Sequence, residues 1–372
     1  MILNIPSMKT IAIDGSRAFI KNRTGIEEYS YKVIEDLRGE LTSEKVFLYV
    51  RSGQEIDLEL PSNWKIKKLW FPRLWTQVRL SLAMLLRRPD VLFVPAHTVP
   101  IIHPKKTVVV IHGLEYEFCP EAYSLCQRFY MRQVIRKACR WASDIVCVSR
   151  NTLEDVVRLY GVKREKISII YEGYNRKFQM PESCEMQNPE NSYENLEQYF
   201  LFIGRIEQRK NISNIIKAFE YVKEKYNLPH KLVLAGKPGY GYEQINQQIQ
   251  QSKYKEQILE LGFVSEQQKW QLLGCASVFL FPTWYEGFGI PVLEAQSAMV
   301  PVIASNKASL PEIADGGAFL VDPENYQEMG EDMNILVRDP EARERLIRIG
   351  YENVKRFSWA KCANEIAKLL RD

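Results

Sequence analysis

The amino-acid sequence predicts an α/β fold with two doubly wound parallel sheets. Short apolar runs alternate with helical patterns along the whole chain, which is typical of parallel strands covered by helices. The chain has 372 residues, and single hydrophobic cores stop growing near about 250–300 residues, so we expect two domains. A polar, acidic and non-periodic stretch at residues 181–198 separates the halves and predicts an exposed linker.

The apolar runs predict the strands, and the amphipathic runs between them predict the helices. In the first half the predicted strands are residues 10–13, 46–50, 66–70, 91–94, 107–111, 145–148 and 167–170, and the predicted helices are residues 25–37, 75–86, 125–140 and 151–159. In the second half the predicted strands are residues 199–203, 231–235, 258–261, 278–281, 302–304 and 319–321. We therefore expect an N-terminal domain at residues 1–180 and a C-terminal domain at residues 199–355, with a ligand site in the cleft between them.

Composition and missing motifs exclude several classes of protein. Hydrophobic residues make up 46% and charged residues 26% of the chain, which excludes a disordered, collagen-like or coiled-coil protein. The longest near-apolar stretch, residues 80–86, is too short for a membrane span, and the first residues lack a signal-peptide pattern, so we expect a cytoplasmic protein. The motifs GxxxxGK[ST], HExxH and GxSxG are missing, as is GxGxxG after the first strand. The chain therefore lacks the signatures of P-loop NTPases, zincins, serine hydrolases and dehydrogenases with the dinucleotide-binding fingerprint.

The densest chemical signal is the segment FPTWYEGFGIPVLEA at residues 281–295. A strand ends at Pro282, a turn containing Gly287 and Gly289 follows, and Pro291 lies where the first turn of a helix tolerates proline. Backbone amides at a helix N-terminus suit a phosphate or a polar sugar, and glycine lets a ligand approach the backbone. An ordinary turn between a strand and a helix is the alternative.

Two carboxylates, Glu286 and Glu294, flank this turn and are eight residues apart. A glycosidase needs its two carboxylates about 5 Å apart for retention or about 6.5–9.5 Å apart for inversion, whereas eight helical residues rise roughly 12 Å. Divided roles therefore fit better, with Glu294 binding the two hydroxyls of a ribose and Glu286 another part of the ligand. For Glu294 the alternative is simple complementarity to the helix dipole.

Basic and polar residues follow several predicted strands. Arg205, Arg209 and Lys210 come after the strand at residues 199–203, where cations can neutralise a diphosphate, although a solvated loop is the alternative. His112 ends the strand at residues 107–111, and Gly25 begins a helix after the first strand, so both are candidates for contact with a ligand. A structural role is the alternative for each.

Taken together, these motifs resemble glycosyltransferase family 4, whose members are retaining, nucleotide-sugar-dependent enzymes with the GT-B fold. The resemblance includes the E-x7-E motif, the GR…RKN segment, the Gly262 to Val264 turn, and the stretches PVIAS, LPEI and VSRNT. It implies two Rossmann-like domains facing across a cleft. The end of the chain, residues 356–372, resembles the family's final helix, which packs back on the N-terminal domain.

The resemblance also implies roles for individual residues. Arg205 and Lys210 would neutralise the donor diphosphate, Glu294 would bind the ribose, and the backbone around Val264 would meet the base. Gly25 would belong to a loop that faces phosphate. The catalytic residues would be Glu286 and His112, both beside the transferred sugar. The backbone amides of Phe288, Gly289 and Ile290 would also hold this sugar. No cofactor and no metal would be needed, because basic side chains and amides stabilise the leaving group.

The chain departs from the family pattern at two places. Relatives usually carry His-Asp where this chain has His112-Gly113, and a TGIGRY-like sequence where it has Glu27 and Glu28 after Gly25. Two acids beside a diphosphate loop are unfavourable unless they point away.

Basic residues are concentrated in the first half. Residues 65–140 contain 14 Lys and Arg against 4 Asp and Glu, and such a surface favours an anionic partner. We expect peripheral contact with an anionic membrane, while a solvated or internally paired face is the alternative and no nucleic-acid recognition module accompanies the patch. The residues expected to make this contact are Arg79, Arg87, Arg88, Arg128, Arg132, Arg136 and Arg140.

The resulting expectation is an enzyme that transfers a hexose, with retention, to a lipid-linked or growing surface glycan at the inner face of the membrane. The segments RTGI, AGKPGYGYE and ASLPEI resemble mannosyl and rhamnosyl transferases of bacterial polysaccharide assembly. GDP-mannose is thus the first expected donor and dTDP-rhamnose the second. Two rival functions are another GT-B enzyme, such as an epimerase or a phosphorylase, and a non-catalytic nucleotide-sugar-binding member of an assembly complex.

Overall fold

The computed structural model describes residues 8–21, 23–71, 74–175 and 198–372. Within those ranges the chain divides into two units. The first unit is formed by residues up to 114, by residues 125–173 and by the C-terminal residues 357–372. The second unit is formed by residues 115–124 and by residues 174–356. The predicted linker at 181–198 lies outside the described residues except for Gln198.

Each unit contains one parallel sheet. The first unit has seven described strands in the order β3-β2-β1-β4-β5-β6-β7, and the second has six in the order β10-β9-β8-β11-β12-β13. The strands are β1 (Thr10–Asp14), β2 (Lys45–Arg51), β3 (Trp64–Leu69), β4 (Val91–Val94), β5 (Lys106–Ile111), β6 (Asp144–Cys147), β7 (Ile167–Ile169), β8 (Tyr199–Ile203), β9 (Lys231–Ala235), β10 (Ile258–Gly262), β11 (Val278–Phe281), β12 (Val302–Ser305) and β13 (Phe319–Val321). The predicted fold of two parallel α/β sheets is therefore confirmed.

Helices connect successive strands. They are α1 (Gly25–Glu40), α2 (Ser81–Arg87), α3 (Glu115–Phe118), α4 (Leu125–Trp141), α5 (Arg150–Tyr160), α6 (Ile212–Tyr226), α7 (Tyr242–Gln251), α8 (Glu266–Cys275), α9 (Ile290–Ser297), α10 (Leu310–Ala314), α11 (Tyr326–Arg338), α12 (Pro340–Asn353) and α13 (Trp359–Arg371). Among the described residues, none of these helices combines the length and the apolar character that crossing a bilayer requires.

The strand order places the ligand edge of each sheet. In the first sheet the order in which strands are added reverses between β1 and β4, and in the second sheet it reverses between β8 and β11. Ligands of doubly wound sheets bind outside the carboxyl ends of the strands at such switch points. The loops that follow the buried, apolar strands β8 and β11 therefore lie at the same edge of the second sheet.

Two elements of the first unit differ in detail from the sequence prediction. The predicted strand at residues 66–70 is β3, which starts two residues earlier because Trp64 pairs with Val46 and is buried, while Ile66 is exposed. The predicted helix at residues 75–86 begins as a π-helical turn, Trp75–Leu80, before α2.

Residues 115–124 differ from the predicted domain boundary. They fall inside the expected N-terminal domain but belong to the second unit. The reason is a long-range contact: the Phe118 ring stacks on Tyr285, with ring centroids 4.5 Å apart and planes 11° apart. No local pattern in the sequence encodes this pairing.

The final helix belongs to the first unit and packs on α1. Asn364 donates a hydrogen bond to Glu40 at 2.9 Å, and Arg371 donates to Glu44 at 2.7 Å. The start of α13 lies so close to Gly173 that a Cβ there would be 2.2 Å from the backbone nitrogen of Trp359. Only glycine at position 173 permits this approach.

His230 is a buried histidine that the fold keeps neutral. It precedes β9, its ring stacks on Phe200 with centroids 4.8 Å apart, and its Nδ1 atom has no hydrogen-bond partner. Burial, together with the nearby charges of Lys223 and Arg343, lowers the pKa of His230 to about 4.

We expect His230→Phe to reduce the loss of stability at acidic pH. Because a histidine in the unfolded chain titrates near about 6.5, this residue stabilises the fold above that pH, and its contribution disappears as the pH falls towards its folded value. At pH 5 the loss amounts to about 2 kcal/mol. Urea denaturation at pH 7 and pH 5 measures it: an equal pH dependence in the variant and the wild type would contradict the assignment.

Candidate functional site

The loop after β8 is fixed by a buried asparagine. Asn211 adopts a left-handed conformation with φ of 62°, which asparagine tolerates better than most residues. Its side-chain amide donates hydrogen bonds to the carbonyl oxygens of Pro282 at 3.0 Å and Pro323 at 2.7 Å. This joins the start of α6 to the end of β11 and presents Arg209 and Lys210 at the ligand edge.

These two cations meet Glu286. The Lys210 ammonium donates to Glu286 Oε1, and Arg209 Nη1 donates to the same oxygen at 3.3 Å. Arg209 also donates to the carbonyl of Tyr285 at 2.8 Å and to Glu207 at 2.9 Å. We call these four charged residues, Glu207, Arg209, Lys210 and Glu286, the ion cluster.

The ion cluster keeps Glu286 ionised. Burial alone would raise the pKa of its carboxyl, but the neighbouring Lys210 ammonium and Arg209 guanidinium hold that pKa below its ordinary value. An ionised carboxylate accepts hydrogen bonds and donates none. Glu286 is therefore suited to binding hydroxyl groups or stabilising positive charge, and unsuited to protonating a leaving group.

The turn that follows Glu286 depends on Gly289. Its φ is 119°, and a Cβ at this position would lie 2.7 Å from Leu310 Cδ2. The Ser309 hydroxyl shares its one hydrogen between two carbonyl oxygens, that of Phe288 at 2.6 Å and that of Glu286 at 3.0 Å. These contacts lock the backbone from Phe288 to Ile290 at the start of α9, whose dipole favours an anion there.

Glu294 lies on α9 and has a partner that the sequence did not predict. The Lys269 ammonium on α8 lies 2.6 Å from Glu294 Oε1, and both side chains are nearly buried. Burial would lower the pKa of Lys269, but the Glu294 and Glu266 carboxylates raise it above its ordinary value. Lys269 is therefore charged at neutral pH.

His112 lies at the end of β5 in the first unit and is held on both sides of its ring. Its Nε2 atom is 2.8 Å from the Pro95 carbonyl oxygen, and its Nδ1 atom is 3.1 Å from Glu172 Oε1. A carbonyl can only accept, so Nε2 carries a proton. The second contact then needs a further proton on either Nδ1 or Glu172. The Tyr29 ring packs edge-on against the imidazole at 4.5 Å.

The two acids that depart from the family pattern are both paired within the first unit. Glu27 accepts hydrogen bonds from the backbone and hydroxyl of Thr24, which caps α1, and from Arg17 at 3.1 Å. Glu28 accepts from Arg23 at 2.9 Å. Their charges are thus compensated locally, beside the exposed Gly25.

The structure brings some of the candidate residues together and adds partners that the sequence analysis did not name. Arg205 is exposed, whereas Arg209, which follows the same strand, lies beside Glu286. Val264 is half-buried immediately before the cap of α8. Glu172 and Lys269 were missed, because their partners are 60 and 25 residues away and no local motif marks them.

Two family models and several known proteins match this chain. Residues 32–178 match the family Glycosyltransferase Family 4, and residues 185–353 match Glycosyl transferases group 1. O-antigen chain mannosyltransferase B of Escherichia coli is 27% identical over 265 residues, covering 70% of this chain and 69% of the relative. O-antigen chain mannosyltransferase RfbU of Salmonella typhimurium is 26% identical over 265 residues, covering 70% of each protein.

A solved structure gives the fold. The sucrose-phosphate synthase from Thermosynechococcus elongatus superposes with a TM-score of 0.75 at 19% identity and covers 98% of both chains. This likeness confirms the predicted GT-B architecture of two Rossmann-like domains.

We expect Glu172→Ala to destabilise the first unit by about 1–3 kcal/mol, because it leaves a nearly buried imidazole nitrogen without its partner. Glu165→Ala, which removes an exposed glutamate near the start of β7, should change stability by less than about 0.5 kcal/mol. Urea denaturation of both variants measures the difference. Equal effects would show that Glu172 does not hold His112.

Proposed function

The chain belongs to the glycosyltransferases that combine a family 4 domain with a group 1 domain, and from this we propose a retaining hexosyltransferase that uses a nucleotide diphosphate sugar. The ion cluster carries the proposal. It places an ionised carboxylate and two cations beside the N-terminus of α9. We propose that the acceptor is a lipid-linked or growing surface glycan, in line with the names of the O-antigen relatives.

In this mechanism the leaving diphosphate is stabilised by charge. Lys210 and Arg209 supply positive charge where the bond between the sugar carbon and the phosphate oxygen breaks. The acceptor oxygen bonds to the sugar carbon from the face that the phosphate leaves, and its proton passes to the departing phosphate oxygen. Glu286 and the backbone of Phe288 to Ile290 hold the hydroxyls of the transferred sugar, and Arg205 adds an exposed cation at the same edge.

Four further expected site residues complete this proposal. Glu294 binds the ribose, and the backbone around Val264 meets the base. His112, whose two ring nitrogens contact Glu172 and the Pro95 carbonyl oxygen, remains the proposed active-site histidine of the first unit, as the resemblance implies. Gly25 remains the proposed phosphate-facing position of the first unit.

GDP-mannose is the proposed donor, because the relatives named above are mannosyltransferases. dTDP-rhamnose is the second candidate. We propose that transfer needs neither a cofactor nor a metal ion, since the basic side chains supply the charge that a metal would supply.

Calorimetric titration with GDP, UDP, dTDP and ADP tests the donor site before the acceptor is known. We expect GDP to bind with micromolar affinity, about −8 kcal/mol, and EDTA or Mg²⁺ to leave that affinity unchanged. Binding of none of the four nucleotides would contradict the proposal. Tight binding with no transfer to any glycan acceptor would favour the non-catalytic alternative, and turnover of the nucleotide sugar without an acceptor would favour another GT-B enzyme.

We expect Glu286→Gln to reduce transfer by about 100-fold or more while nucleotide affinity changes little, because the amide cannot reproduce the carboxylate's charge beside the reacting sugar. Glu256→Gln, which changes an exposed glutamate before β10, is the matched control. Transfer rates under single-turnover conditions, with thermal melts to check folding, measure the effect. Normal turnover of Glu286→Gln would reject the role of Glu286.

We also propose that the first unit contacts an anionic membrane. Leu74, Val78, Leu82, Leu85 and Leu86 are all exposed, and their spacing of three to four residues aligns them along one side of the π-helical turn and α2. The basic residues that accompany them along this stretch are Arg79, Arg87 and Arg88. An apolar stripe beside cations is typical of a surface that lies at a lipid interface.

Helix α4 adds a second part of this surface. Leu125 and Phe129 are exposed in its first turns, and Arg136 and Arg140 are exposed towards its end. Arg128 and Arg132, which were expected on the same face, are half-buried and make contacts within the protein. The α4 contribution is therefore smaller than the sequence predicted.

Flotation with phosphatidylglycerol vesicles tests the membrane contact. We expect binding at low salt and release as salt screens the arginines over a Debye length of about 10 Å or less. The double variant Leu85→Asp, Leu86→Asp should lose binding, while Leu159→Asp, an exposed leucine on α5, should retain it. Absence of wild-type binding at low salt would reject the membrane proposal and leave hexose transfer intact.

A further inference from the structure

We propose that Lys269 is a positioning residue that holds Glu294 for the two hydroxyls of a ribose and so makes the nucleotide site select ribonucleotides over 2′-deoxyribonucleotides. This inference rests on the proposed function, in which Glu294 is the ribose-binding carboxylate. It adds a residue to that site and a property of the donor.

The ion pair is nearly buried, and the fold fixes its lysine side. Lys269 Nζ lies 2.6 Å from Glu294 Oε1, and the two side chains are only 13% and 8% exposed. On the lysine side, α8 starts at a capping box formed by Ser265 and Gln268, and the next residue, Trp270, is buried. These contacts fix the first turns of α8 and therefore the direction from which Lys269 reaches Glu294.

A second carboxylate also contacts the ammonium. Lys269 Nζ is also 2.9 Å from Glu266 Oε1, and that glutamate is 66% exposed. The exposed Glu266 pair adds little by itself, because solvent screens it. The nearly buried Glu294 pair is the one that matters, since a carboxylate taken out of water requires a partner to remain ionised.

The pairing determines what Glu294 can do. In its pair with the Lys269 ammonium, the Glu294 carboxylate accepts hydrogen bonds, and a cis-diol supplies two donors to it. A 2′-deoxyribose lacks one of these hydroxyls and therefore donates one hydrogen bond fewer to the carboxylate. Sites built to hydrogen-bond a hydroxyl discriminate strongly against an analogue without it, because a buried polar group is then unsatisfied.

This role separates the two donor candidates. GDP carries a ribose with both hydroxyls, whereas dTDP carries a 2′-deoxyribose. A ribose-selective site therefore favours GDP-mannose over dTDP-rhamnose, on grounds independent of the names of the relatives.

The decisive measurement is the ratio of dissociation constants for 2′-deoxy-GDP and GDP, with 2′-deoxy-UDP and UDP as a second pair. We expect the wild type to bind the ribose form about 10-fold or more tightly. Lys269→Met should bring the ratio close to 1, mainly by weakening the ribose form. Lys269→Arg keeps the cation and should retain most of the ratio.

Lys253→Met is the matched control, because Lys253 pairs with Glu224 at 3.0 Å on the surface and is 79% exposed. Its ratio should equal that of the wild type. If Lys269→Met weakens both forms equally, Lys269 has only a structural role and the inference fails. If Lys269→Met tightens GDP binding, Lys269 competes with the ribose and the inference also fails. In both cases the proposed function survives, whereas a wild type that binds no nucleotide overturns both.

Discussion

The ligand edge of the second unit depends on the ion cluster formed by Glu207, Arg209, Lys210 and Glu286. Two loops that follow neighbouring strands, β8 and β11, are joined there by charges that are almost fully removed from water. Removing one partner of such a cluster leaves an uncompensated buried charge and costs about 3–5 kcal/mol. The contacts that orient the proposed ligand-binding carboxylate therefore also hold the two loops together, so stability and the proposed function depend on the same residues.

Much of this arrangement follows from chain topology. Parallel strands bring their carboxyl ends to one edge, and β8 and β11 are adjacent at the point where the strand order reverses. The local backbone then completes the geometry, since Asn211 in its left-handed conformation ties the start of α6 to the end of β11. Lys210 and Glu286, which are 76 residues apart in the sequence, thus become partners because the loops that carry them follow adjacent strands.

The sequence predicts what is encoded locally and misses what depends on packing. Buried strands such as β8 and helices such as α5 are marked by their own periodicity, and the turn at Gly289 is marked by its glycines, so these were found. The segment at residues 115–124 joins the second unit only through contacts such as Phe118 on Tyr285, and the pairs Lys269 with Glu294 and Glu172 with His112 link distant elements. A choice between Arg205 and Arg209 likewise needs side-chain direction, which spacing alone does not give.

The departures from the family pattern illustrate the same distinction between sequence position and physical role. The family's His-Asp sequence becomes His112-Gly113 here, which removes a carboxylate next to the histidine along the chain. In the folded protein Glu172 places a carboxylate 3.1 Å from the same imidazole. Glu27 and Glu28 add negative charge near Gly25, yet both are neutralised by arginines of the same unit. Because electrostatics depends on distance and burial rather than on sequence order, neither departure by itself argues that the first unit has lost its part in transfer.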